Sequence, residues 1–75
     1  MIRELERVVL TRPLPDLGLE AGDIGTVVLV HDNGAAFEVE FVTLDGDTYA
    51  VATITADHLR PIRRNEIANA RSLAA

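Results

Sequence analysis

The run Leu19-Glu20-Ala21-Gly22-Asp23-Ile24-Gly25-Thr26-Val27-Val28-Leu29-Val30 constrains the fold more than any other part of the chain. It couples a turn to a strand. Gly22 takes positive φ without a Cβ clash, so Ala21-Gly22-Asp23 bends the backbone. Gly25 stands at the strand entrance, where a glycine marks a bulge or the close approach of another backbone. Thr26 to Val30 is β-branched except for Leu29 and is closed by His31-Asp32-Asn33-Gly34. A short apolar run so bounded reads as a buried central strand.

The flanking segments supply partners for that strand. Glu6 to Thr11 holds Val8, Val9 and Leu10 and reads as a first strand, ended by Pro13 and Pro15. Proline lacks the ladder donor, so Arg12 to Asp16 is a loop, and Leu14, Leu17 and Leu19 are expected to fold down over the core. Asn33-Gly34 is a strong hairpin signal. The third strand, about Ala36 to Thr43, alternates Phe37, Val39 and Phe41 with Glu38 and Glu40, giving one apolar and one wet face.

The turn at Asp45-Gly46 decides the faces of the fourth strand, about Thr48 to Thr55. A two-residue turn pairs Thr43 with Thr48 and sets Ala50, Ala52 and Ile54 beside the phenylalanines. A three-residue turn with a bulge at Gly46 pairs Thr43 with Asp47 and brings Tyr49, Val51 and Thr53 inward. A slip of one residue exchanges the faces of the strand. The bulged turn is preferred because it buries the larger Tyr49 and Val51. Ala56-Asp57-His58 suits one tight helical turn capped by Thr55, and Leu59 to Ile62 a fifth strand with Pro61 at its end.

Five short strands, a proline-broken loop and a tight turn before the last strand give an all-β reading: a small five-stranded SH3-like barrel over residues 1–62. Residues 63–75 form a tail. Ile67, Ala70 and Ala74 fall on one weak helical stripe, so the tail is a short helix if it finds a partner and frayed if it does not.

A chain of 75 residues has a thin core, since it buries only about 60% of the surface its unfolded form exposes. It has no cysteine, which removes disulfides and thiolate metal sites and leaves self-association as a source of added stability. The N-terminal segment lacks the apolar core of a signal peptide, and no run is long enough to cross a bilayer, so the cytoplasm is the expected location and a membrane partner is not expected. Residues 1–59 carry three arginines and eleven acids, a balance of −8, whereas residues 60–75 carry four arginines and one acid, a balance of +3. An acidic body repels phosphate backbones and argues against nucleic acid as a partner.

Val8-Val9-Leu10-Thr11, Leu19-x-x-Gly22-Asp23-x-Gly25-Thr26-Val27-Val28, Phe37-Glu38-Val39-Glu40-Phe41, the Asp45-Gly46 turn and His58-Leu59-Arg60-Pro61 occur in this order. The set resembles a family of short bacterial proteins defined as a domain of unknown function, DUF4926, over about residues 4–62. The resemblance implies a barrel and a bacterial origin. It implies no catalytic residues.

Few residues carry catalytic chemistry. Ser72 is the single serine, and no glycine-rich phosphate loop precedes a helix. Asp23 and Asp45-x-Asp47 lack the remaining ligands of a calcium loop and read as turn residues. His31 and His58, with Asp32 and Asp57, match no known zinc spacing and read as surface histidines. Glu38 and Glu40 share a face as a carboxylate pair would, but they read as a solvated sheet surface. No cofactor is expected.

The candidate interface residues are Val42, Tyr49, Val51, Arg60, Arg63 and Arg64. If the first three point outward, they form an apolar patch beside Glu38 and Glu40, a feature of interaction surfaces. The three arginines cluster where the last strand meets the tail, and arginine forks suit interface carboxylates. The expected function is a non-enzymatic protein–protein interaction module that binds itself, as a homodimer, or an accessory or antidote-type partner. The alternatives are a ligand- or metal-binding accessory subunit of an enzyme, and an RNA-associated barrel.

Overall fold

The computed structural model describes residues 1–73. Its strands are β1 (Arg7–Leu10), β2 (Ile24–His31), β3 (Ala36–Val42), β4 (Thr48–Thr55) and β5 (Leu59–Pro61). They form one antiparallel sheet in the order β4-β3-β2-β1-β5. The all-β, five-stranded architecture matches the expectation. Closure does not: β4 and β5 stand at opposite ends of the sheet with no ladder between them, so the sheet is not a hydrogen-bonded barrel. Single 3₁₀ turns lie at Pro15–Leu17, Asp32–Gly34 and Ala56–His58.

β2 is the centre of this arrangement because it pairs with β1 through its first half and with β3 along its length. Gly25 is buried there, and a Cβ on it would stand 2.5 Å from Val39 Cγ1 and 3.0 Å from the Glu40 carbonyl oxygen. The glycine therefore permits the close approach of β3. The bulge in β2 lies further on, at Val28, between the pairs Val27–Val39 and Leu29–Glu38. Apolar side chains of Val8, Leu10, Leu19, Val27, Phe37, Val39, Phe41, Ile54 and Leu59 form the core. Leu14 packs against it, while Leu17 turns to solvent.

The hairpin after β2 is wider than a two-residue Asn-Gly turn. His31 pairs with Ala36, and Asp32, Asn33 and Gly34 all take positive φ between them. The hairpin after β3 combines both registers considered above. Thr43 N–H donates to Asp47 O at 2.8 Å and Gly46 N–H to Thr43 O at 2.9 Å, the three-residue turn. Val42 then pairs with Thr48, but Phe41 pairs with Ala50. Tyr49 is thus an extra residue on β4, and this second bulge reverses the effect of the first. Ala50, Ala52 and Ile54 lie opposite Phe41, Val39 and Phe37. The expectation that Tyr49, Val51 and Thr53 turn inward is corrected: all three are exposed. Ala50 packs opposite Phe41 and Ile54 opposite Phe37, so this face of β4 completes the core layer.

The chain beyond Pro61 turns at Arg64–Asn65 and forms no helix through Leu73. Ile67, expected on an apolar helical stripe, is 93% exposed. Two arginine–carboxylate contacts pin the segment to the body instead, and a short weak stripe cannot offset helix nucleation. Ala74 of that stripe lies outside the described residues.

Candidate interaction surfaces

Two surfaces meet at Tyr49. The first is a cleft between the loop after β1, the β3–β4 hairpin and the tail. Its volume is about 410 Å³, and its apolar lining comes from Leu19, Ile24, Phe41, Val42 and Leu44 of the body. Ala68, Ala70 and Leu73 of the tail line the other side.

The cleft wall depends on local backbone chemistry. Leu14 and Leu19 bridge the base of the loop, and Gly18 follows its 3₁₀ turn in the left-handed conformation, φ +68°. The bulge at Tyr49 aims its hydroxyl across the gap to donate to Leu17 O at 2.7 Å. A Cβ on Gly18 would stand 2.6 Å from that hydroxyl, so the glycine is required both for its φ and for space.

One arginine holds the tail to this wall. Arg71 Nε and Nη2 donate to Asp23 Oδ1 and Oδ2 at 2.9 and 2.6 Å, and Nη2 also donates to Gly18 O at 3.0 Å. Glu20 lies 3.5 Å from Nη1. Asp23 is aimed by its turn, in which Glu20 N–H donates to Oδ2 at 2.8 Å. The Arg71 hydrogen bonds, assisted by that backbone donor and opposed by partial burial, hold the Asp23 carboxyl below the usual carboxylate range. Arg71 is correspondingly raised.

A second tie lies nearer β5. Arg60 grips Glu66 with both guanidinium ends, at 2.8 and 2.5 Å, and Arg63 N–H donates to the same carboxylate at 2.6 Å. These contacts lower the Glu66 carboxyl to about 2. Thr55 stands at the cap of the Ala56–His58 turn without a capping bond to the backbone, and its hydroxyl instead lowers the Asp57 carboxyl.

The second surface is the free edge of β4. This strand has eight residues, Thr-Tyr-Ala-Val-Ala-Thr-Ile-Thr, with no charge and no proline. Among the described residues its ladder runs to β3 alone. The opposite edge, β5, has three residues and ends at Pro61. Beside β4, Thr48 and Thr53 hydroxyls donate to Glu40 and Glu38 at 2.6 and 2.5 Å, which ties both carboxylates into the outer face.

A family model described as a domain of unknown function, DUF4926, matches residues 4–61. The chain belongs to the DUF4926 family. No curated protein and no solved structure matches it. The match to DUF4926 covers all five strands and stops where the tail begins, so both arginine ties join the family domain to a segment beyond the match.

The six candidate interface residues of this DUF4926 protein do not form one patch. Val42 and Tyr49 line the cleft, and Val51 lies on β4 facing solvent. Arg60 is occupied by Glu66, while Arg63 and Arg64 have exposed side chains with no carboxylate partner among the described residues. Sequence reasoning missed Gly18 and Arg71. The available signal for Arg71 was that it is the lone charge after Glu66. Among the described residues, no group of three or more His, Asp or Glu side chains is arranged to hold a metal ion.

Proposed function

We propose that this chain is a non-enzymatic protein–protein interaction module of the bacterial cytoplasm that associates through the β4 edge, first of all with a second copy of itself. The observation that carries the reading is the eight-residue, uncharged, proline-free edge of β4. Native sheets guard such edges with lysine, proline, bulges or short length, because unpaired N–H and C=O groups recruit another strand. Here the Tyr49 bulge guards one end alone, and Val51 stands 53% exposed beyond it.

Electrostatics permits the pairing despite the acidic body. β4 carries no charge; Asp47 precedes it and Asp57 follows it by two residues, both outside its ladder, and the carboxylates on the adjacent strand are Glu38 and Glu40. Across an antiparallel β4–β4 contact they would be three strand spacings apart, about 14 Å. That exceeds the Debye length of about 8 Å at physiological salt.

Sedimentation equilibrium over a wide concentration range tests the reading. The full chain is expected to form a dimer, and Val51→Lys, which places an edge-guarding charge on β4, to weaken it at least tenfold while the melting curve at the lowest concentrations, where the chain is monomeric, stays unchanged. A full chain that stays monomeric throughout would overturn the self-association reading, as would a dimer indifferent to Val51→Lys.

A further inference from the structure

We propose that the cleft beside Tyr49 is a receptor for an extended peptide of another protein, bearing an arginine at the Arg71 position and bulky apolar residues where the tail has Ala68 and Ala70. The chain's own tail is then a weak resident ligand that this peptide displaces. The inference uses a different surface from the β4 edge and stands or falls separately from it.

Three observations carry it. The receptor side is built from the body alone: Asp23 is aimed by Glu20 N–H, Gly18 offers its carbonyl from a left-handed turn, and Tyr49 clamps the loop through Leu17. A carboxylate beside a carbonyl matches the fork geometry of a guanidinium, and a lysine would satisfy it less well. Next, the tail seats shallowly. From Ile62 to Leu73 every residue is exposed except Arg71, so docking at the cleft rests on one side chain. Finally, space remains. The cleft keeps about 410 Å³ beside Ala68 and Ala70, and Val42 and Leu44 stay exposed along it. A ligand with leucine-sized residues at those positions would remove this apolar surface from water, which the alanines cannot do.

Charge favours the same occupant. Glu20 and Asp23 both face the guanidinium site, on a body whose residues 1–59 carry a balance of −8. A resident tail reduces the apparent affinity of an incoming peptide by the fraction of time it occupies the site.

The test uses the full chain and labelled synthetic peptides, read by fluorescence anisotropy and by backbone amide shifts. One peptide copies residues 65–73. A second carries leucine in place of both alanines, and a third also carries glutamate in place of the arginine. The second is expected to bind at least tenfold tighter than the first, and to shift the amides of Gly18, Asp23 and Tyr49. It should bind the full-length Arg71→Ala variant more tightly than wild type, because the resident arginine is gone. The third should not bind wild type. Equal affinity of the first two peptides, binding of the third, or no gain with Arg71→Ala would each overturn the proposal.

Discussion

Gly25 and Gly18 show how a missing methyl sets geometry. At Gly25 an added Cβ would meet Val39 and the Glu40 carbonyl, neither of which can swing away. Gly25→Ala is therefore expected to destabilise by about 1–3 kcal/mol, the range for overpacking a filled interior, measured by urea denaturation. Tyr49→Phe removes the bond to Leu17 O and is expected to lose about 0.5–1.5 kcal/mol with increased mobility of residues 15–18 by NMR relaxation. The Gly25 contact was legible in the sequence because a glycine at a strand entrance has few other reasons to be there. Tyr49 was legible as an aromatic but not as a clamp, since its acceptor lies 32 residues away in a loop. Asp23 read as a turn residue and is one, yet its second partner, Arg71, is 48 residues distant and leaves no local mark.

The β3–β4 hairpin illustrates how two local irregularities can cancel. The three-residue turn alone would point Val51 inward, and the bulge at Tyr49 returns it to solvent. The strand boundaries, Thr48 to Thr55, follow from turn signals and β-branched composition and were read correctly. The faces were not, because TYAVATIT places apolar residues on both sides of the strand. Burial of the larger side chains was a reasonable criterion, but it takes no account of a second irregularity, the extra residue at Tyr49. A pair of substitutions distinguishes the faces. Ile54→Ala is expected to lower stability by about 2–5 kcal/mol, whereas Val51→Thr should stay within about 0.5 kcal/mol in the monomer. Thermal and chemical denaturation at low protein concentration measure both.

At the scale of the molecule, the acidic body and basic tail meet through Arg71 at Asp23 and Glu20 rather than by diffuse attraction, and a second ion pair, Arg60–Glu66, lies within residues 60–75. Both depend on ionised carboxylates, and the sign follows from their depressed titration. Glu66 is held at about 2 against an ordinary 4.5, and Asp23 is also lowered. A depressed folded-state value contributes stability that is complete above the ordinary pKa and is lost as pH falls through the folded one. The Arg60–Glu66 tie should hold from neutral pH to about 4.5 and be lost as the pH falls towards about 2. The Arg71 Nε–H resonance, shifted while it is bound to Asp23, should move to its free position as the pH falls below the ordinary carboxylate range, since the Asp23 carboxyl is itself lowered. High salt at neutral pH should reproduce part of the change, since the guanidinium site is partly exposed.

The inequality of the two sheet ends limits what the molecule can build. A sheet with two open edges can add subunits at both and grow into a fibre. Among the described residues this one has a single long open edge, because β5 is three residues long and finishes in proline. When the one open edge of a subunit pairs with the same edge of another, both are consumed and the two-fold is complete. Assembly by this route is self-limiting at two copies, and a longer, proline-free β5 would be the change that removes the limit.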